Sequence, residues 1–268
     1  MLINFFVYLV LLIRLVMPTV YQTVRVSILG NLPDTSQINI ASQMAWVNVV
    51  IEIIDESLIL PLYFCLGDSI NDARITKNKI KTGLITSGFV YCVFSILISS
   101  LAWPLIRLMG QNIELQEDTV SYIRIEVFGI IAGSLVNFLM LVFIMRQWNS
   151  MLYLTLFVQM LFSAMLDYGF ASTSGLNLGA NGIAYSAVCT NIILLIICLL
   201  ITWIKLDFQV VDLTSDYNFY WLKNWSHVGL FSGFDSFIRN AVYLIVVLRA
   251  INLLNEQGDY KNYYTVGP

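Results

Sequence analysis

The chain has 268 residues, of which 58% are hydrophobic and only 12% are charged, and its mean hydropathy is +0.77. About a quarter of the residues of an average soluble domain are charged, so this composition excludes an ordinary soluble globular protein. The formal net charge of −3 argues against a polyanionic partner such as a nucleic acid. The composition therefore predicts a polytopic membrane protein whose apolar surface faces the lipid bilayer.

Seven apolar runs are long enough, at about 20 residues each, to cross a bilayer. We number them as spans one to seven, and they cover residues 3–24, 40–65, 82–108, 121–145, 151–171, 180–204 and 228–254. Pro61 is expected to kink span two or to end its last turn. Span one has neither a basic leading region nor a small-residue cleavage site, so we expect it to be retained as a helix.

The loops between the spans alternate in charge. Basic side chains occur in the loops after spans two, four and six: Arg74, Lys77, Lys79, Lys81, Arg146, Lys205 and Lys223. The loops after spans one and five have no basic residue, and the loop after span three, GQNIELQED, is acidic. Because Lys and Arg are enriched in cytoplasmic loops, this alternation predicts a multi-pass protein of the plasma membrane with a cytoplasmic N-terminus.

Span two contains three carboxylates in an apolar run, NVVIEIIDESLILPLYF. At about 100° per residue, Asn48, Glu52, Asp55 and Glu56 form one stripe along the helix. A carboxylate at the centre of a membrane helix costs about 2.5–3.5 kcal/mol to insert, so we expect the stripe to face the protein interior or a cavity. Crowded carboxylates suit H⁺ or Na⁺ coupling because some must be protonated or share a cation.

The alternative for this stripe is a purely structural role, in which buried arginines such as Arg25 or Arg124 pair with the carboxylates and hold helices together. Span five adds Asp167 near its outer end, where a surface position is the competing interpretation. Span seven adds Asp235 and Arg239, which are four residues apart and so are placed to pair across one turn. The small residues of span seven favour close helix packing over chemistry; they are Gly229, Ser232, Gly233 and Ser236.

Enzyme chemistry finds no support in the sequence. The four cysteines lie in apolar runs without the spacing of metal ligands or of a disulfide framework, and His227 is the one histidine. No nucleophile–base arrangement or Gly-rich phosphate loop is present. We therefore expect no enzymatic activity, no metal and no cofactor apart from a coupling ion.

Four segments, in this order and over most of residues 40–255, resemble the multidrug and toxic compound extrusion (MATE) family of transporters. They are PLYFCLGDSINDARITKNKIKTGLI, LIRLMGQNIELQEDTVSYIRIEVFGIIAGSLVNFLMLVFIMRQ, MLDYGFASTSGLNLGANGIAYSAVCTNI and VGLFSGFDSFIRN. The resemblance implies twelve helices in two six-helix bundles around a central cavity. It also implies efflux of small organic, often cationic, compounds in exchange for H⁺ or Na⁺.

On this resemblance, residues 1–204 form the first six-helix bundle and residues 205–227 a cytoplasmic linker between bundles. Residues 228–268 are then the first helix of a second bundle with a short external tail, and the chain is expected to be incomplete. We expect the absent second bundle to be a partner required for activity. A small organic substrate and the lipid bilayer are the other expected partners, and no nucleic acid is expected.

Two acidic residues carry over from the family. Asp167 matches the acidic position on the fifth helix that contributes to the cation site of the first bundle. Asp235 matches an acidic position, usually Glu, on the seventh helix. The sequence also departs from the family: span one has no acidic residue, Ser163 replaces an Asn that is often found one turn before Asp167, and Phe231 replaces a Pro. We therefore hypothesise that the span-two carboxylates substitute for a depleted first-bundle site.

Candidate residues for ion coupling are thus Glu52, Asp55, Glu56, Asp167 and Asp235, and candidates for lining the cavity are Asn48, Ser163 and Arg239. Three other functions are alternatives. A lipid-linked oligosaccharide flippase of the same superfamily would be expected to have a cationic cavity. A seven-helix receptor would need an external N-terminus, which the loop charges contradict. An inactive fragment is the remaining alternative.

Overall fold

The computed structural model describes residues 5–34, 36–70, 72–209, 212 and 217–242, and the secondary structure of this part is helical throughout. The helices are α1 (Phe5–Gly30), α2 (Ser36–Ser42), α3 (Met44–Leu58), α4 (Leu62–Gly67), α5 (Ala73–Leu108), α6 (Gln116–Met145), α7 (Asn149–Ala171), α8 (Gly179–Lys205) and α9 (Leu222–Val242). A short 3₁₀ turn, Ile113–Leu115, precedes α6.

Four of the helical segments that the structure describes are long and apolar enough to cross a membrane. They are Ala73–Leu108, Ile113–Met145, Asn149–Ala171 and Gly179–Lys205, and they contain predicted spans three to six. Span one corresponds to α1, and the first part of span seven corresponds to α9. The remainder of span seven lies outside the described residues.

Span two is interrupted twice, so that it forms α2, α3 and α4 rather than one helix. The second break follows from Pro61, whose fixed φ of −64° starts α4 after α3 has ended at Leu58. The first break, at Gln43, was not predicted. As a result α3 is only 15 residues long.

The helix α5 begins at Ala73, nine residues before the predicted start of span three. Asp72 caps it, since its carboxylate accepts hydrogen bonds from the backbone amides of Arg74 (2.9 Å) and Ile75 (3.1 Å). Lys77, Lys79 and Lys81, which the sequence predicts to lie in a loop, therefore lie on the first turns of α5.

These first turns of α5 hold the segment between α8 and α9. Lys77 donates to the Asp212 carboxylate at 2.8 Å, and the Asn78 side chain makes two hydrogen bonds with the backbone of Asn218. Hydrogen bonds from the Gln209 amide and from Lys77 lower the pKa of Asp212. The described part of the linker is thus attached to the first bundle at the predicted cytoplasmic face.

The core consists of two apolar clusters, one at each end of the bundle. The first cluster includes Leu62, Phe138 and Cys198, and the second includes Ile106 and Ile123. The helix α6 passes through both clusters and packs against α5, α7 and α8. Between the clusters, α1, α3, α5, α6 and α7 present polar and charged side chains, which places a polar layer near the middle of the bundle.

Candidate functional site

Three cavities adjoin this polar layer, with volumes of about 380, 320 and 360 Å³. We call them the first, second and third cavity. The helix α3 lines all three: Asn48 and Glu52 line the first and third cavities, and Asp55 lines the second and third. The polar stripe that the sequence indicated on span two therefore faces cavities.

Glu52 differs from the other two carboxylates of this stripe, because no described side chain pairs with it. It is exposed to the first and third cavities. No hydrogen bond or ion pair joins its side chain to another residue in the part of the chain that the structure describes. Within the described part of the chain, a ligand that enters either cavity can therefore reach this carboxylate without breaking a hydrogen bond or an ion pair of Glu52.

Asp55 lies one turn from Glu52 and has a defined partner. It accepts a hydrogen bond from the hydroxyl of Tyr91 on α5, whose side chain is almost fully buried. This bond fixes the carboxylate at the wall between the second and third cavities. The second cavity also contains Ser163 and Asn191.

Glu56, the third carboxylate, is tied to α9. Arg239 donates to it and also to Asp235, one turn earlier on α9, at 3.2 Å. The side chains of Arg239 and Asp235 are 55% and 75% exposed, and neither residue lines the three cavities. The pairing of Asp235 with Arg239 is the one that their spacing indicated.

Asp167 lies at the centre of a second charged cluster. Its carboxylate is completely buried and accepts a hydrogen bond from Arg25 Nε at 3.3 Å. Arg25 also lies 3.5 Å from Glu126 Oε1 on α6, and the Tyr21 ring centroid is 4.3 Å from its guanidinium. Three helices, α1, α6 and α7, are thereby joined through one guanidinium.

Neither arginine that was considered as a partner for the α3 carboxylates pairs with them. Arg25 binds Asp167 and Glu126, while Arg124 is exposed and donates to the Ser99 carbonyl at 3.2 Å. That form of the structural alternative is absent among the described residues. A different arginine does pair with one of the carboxylates, since Arg239 of α9 binds Glu56.

Comparison with solved structures identifies the architecture. A MOP-superfamily transporter from Pyrococcus furiosus, reported to have a binding pocket of reversed polarity, matches with a TM-score of 0.73 and 17% identity over 94% of this chain and 58% of its own. A MATE crystallised in a complex matches with a TM-score of 0.66 and 19% identity, over 86% of this chain and 52% of its own. A multidrug-resistance MATE transporter in its outward-facing conformation matches with a TM-score of 0.64 and 18% identity, over 86% of this chain and 51% of its own.

This chain has a MATE-type fold. The predicted class, an all-α polytopic membrane protein of MATE type, is thereby confirmed. No protein-family model and no curated protein sequence matches the chain. The chain spans between 51% and 58% of the length of these three transporters.

Within the MATE-type fold, the surroundings of Asp167 differ from the expectation of a depleted site. The helix α1 supplies no carboxylate but supplies Arg25, and α6 supplies Glu126. Carboxylates are therefore present, and a guanidinium already neutralises them in part. Among the described residues no three His, Cys, Asp or Glu side chains come together as metal ligands do.

Glu126 is the main residue that the sequence analysis missed. It stands in the apolar run SYIRIEVFGI of span four, and the same reasoning that singled out Glu52 would have found it. Tyr91 and Arg25 are harder to find, because their roles depend on contacts with residues 36 and 142 positions away. No local pattern indicates such partners.

Proposed function

We propose that this chain forms the first bundle of a cation-coupled antiporter that exports small organic compounds across the plasma membrane, with H⁺ or Na⁺ as the coupling ion. Two findings support the proposal: the fold is that of transporters, and the carboxylates of α3 face its cavities. Transport is proposed to require a second bundle. No enzymatic step and no further cofactor are needed.

The observation that carries the proposal is the position of Glu52. It is a carboxylate inside a membrane bundle, exposed to two cavities and unpaired within the described part of the chain. Carboxylates in membrane spans are costly and are usually paired or functional. A group that binds the ion in one state and the substrate in another links the two fluxes, since each ligand shifts the same two-state equilibrium.

The other candidate residues receive different parts in this mechanism. Asp55, held by Tyr91, is proposed to share the ion with Glu52, and Asn48 and Ser163 to contact the substrate. A chain of ion pairs links α3 to α9 through Glu56, Arg239 and Asp235. We propose that these pairs couple the position of α9 to that of α3 during transport.

Export measurements on neutralised variants test the proposal. Glu52→Gln and Asp55→Asn, singly and together, should insert normally into membranes because they remove charge from an apolar region. We expect efflux of a fluorescent organic cation, driven by an imposed H⁺ or Na⁺ gradient, to fall at least tenfold. Glu117→Gln is the matched control, since Glu117 is an exposed carboxylate in the first turn of α6, and it should export normally. Normal efflux from the double variant would remove the proposal.

A lipid-linked oligosaccharide flippase remains the second candidate, and one observation favours it: the Arg25 guanidinium lines the first cavity. Against it, Arg25 already interacts with two carboxylates, and Glu52 adds a further negative charge to the same cavity. A variant of Arg25 distinguishes the two functions. Loss of flipping of a pyrophosphate-linked lipid in Arg25→Gln, with no ion dependence in the wild type, would favour the flippase.

A further inference from the structure

The guanidinium of Arg25 is enclosed by groups that favour a cation. Asp167 Oδ2 lies 3.3 Å from Nε, Glu126 Oε1 lies 3.5 Å from a terminal nitrogen, and the face of Tyr21 covers a further side. Only 16% of the Arg25 side chain is exposed. Arg25 thus occupies, as part of the protein, the position that a dissolved cation would take between these two carboxylates.

The cluster has more oxygen atoms than Arg25 uses. Asp167 Oδ1 and Glu126 Oε2 are buried and are not bound by Arg25; the Ser186 hydroxyl lies beside the Asp167 carboxylate and the Tyr122 hydroxyl beside that of Glu126. Carboxylate and hydroxyl oxygens are the ligands that hard cations prefer. Without the guanidinium, these two carboxyl groups would have to be protonated or to share another cation.

We propose that Arg25 excludes Na⁺ from Asp167 and Glu126 by occupying the cation position between them. A dissolved ion must compete with a cation that the chain itself holds in place at high effective concentration. Removal of Arg25 should then convert the cluster into a Na⁺ site. The consequence that ion coupling is left to the α3 carboxylates rests on the proposed function; the exclusion of Na⁺ does not.

Melting temperatures in detergent, measured in NaCl and in choline chloride of equal ionic strength, test this inference without any transport. In the wild type, Asp167→Asn should leave the difference between the two salts unchanged. Arg25→Gln should gain a Na⁺-dependent rise of at least ~3 °C, because an ion that binds only the folded state stabilises it. Addition of Asp167→Asn should abolish the gain. Arg124→Gln, the matched control, removes an exposed arginine of α6 and should show no gain.

Recovery of folded Arg25→Gln in NaCl but not in choline chloride would also support the inference. Arg25→Lys keeps the positive charge and should behave as the wild type. Three outcomes overturn the inference. The first is a Na⁺ effect in the wild type that Asp167→Asn removes. The second is a folded Arg25→Gln with no added Na⁺ effect. The third is an Arg25→Gln that is unfolded in both salts while Arg25→Gln/Asp167→Asn folds.

Discussion

At the scale of single residues, the surroundings of each carboxylate separate groups that look equivalent in the sequence. Glu52 is unpaired among the described residues and open to cavities, Asp55 accepts a hydrogen bond from a buried tyrosine, and Asp167 is buried against Arg25. An unpaired carboxylate can exchange a proton or an ion at the lowest cost, whereas a buried pair is costly to break. This difference is the reason for proposing that coupling belongs to the α3 carboxylates and that Asp167 balances charge within the bundle.

A double-mutant cycle tests the bond between Tyr91 and Asp55. Tyr91→Phe removes only the hydroxyl, so the core packing of the ring is retained. We expect the cycle with Asp55→Asn to give a coupling energy of about 1–2 kcal/mol in thermal unfolding, as hydrogen bonds to charged groups do. Tyr220→Phe is the control, because Tyr220 is 92% exposed and its change should be close to neutral. A coupling energy near zero would show that Tyr91 does not position Asp55.

At the scale of elements, the contact between α3 and α9 depends on two glycines. A Cβ at Gly229 would clash with the backbone oxygen of Ser57, and a Cβ at Gly233 would clash with the Ser57 hydroxyl. Trp225 strengthens the same contact, since its indole donates to the Leu58 carbonyl at 2.8 Å. The helix α9 is therefore held closely against α3, which carries the candidate coupling groups.

Alanine substitutions at the two glycines should differ in whether Ser57→Ala restores the lost stability. Gly229→Ala meets backbone, so we expect a loss of about 1–3 kcal/mol in unfolding free energy that Ser57→Ala does not relieve. Gly233→Ala meets a side-chain hydroxyl, so Ser57→Ala should restore most of its loss. Gly169→Ala is the control, because a Cβ there meets nothing within 4 Å. Equal rescue of both variants by Ser57→Ala would contradict the packing described.

At the scale of the whole molecule, a polar layer lies between two apolar clusters, and α3 lines its three cavities. The cytoplasmic N-terminus remains a prediction from the loop charges. The attachment of Asp212 and Asn218 to α5 is consistent with it, since these contacts lie beside the basic residues of the predicted cytoplasmic face.

Much of this arrangement could be predicted from hydropathy and spacing, because membrane spans must be apolar and internally hydrogen-bonded. The break at Pro61 and the stripe around Glu52 are of this kind. The start of α5 was misplaced because a Lys-rich segment resembles a loop, although Asp72 is a good cap. The partner of Arg25 could not be predicted, since it depends on how α1, α6 and α7 pack together.

Carbodiimide labelling tests the central claim, that the α3 carboxylates rather than Asp167 exchange the ion. Dicyclohexylcarbodiimide modifies accessible carboxyl groups in apolar membrane surroundings, and mass spectrometry locates the modified residues. We predict modification of Glu52, slowed by the coupling ion or by substrate, with Asp167 unmodified behind Arg25. Modification of Asp167 with Glu52 unmodified, in membranes that contain the wild-type protein, would contradict the account.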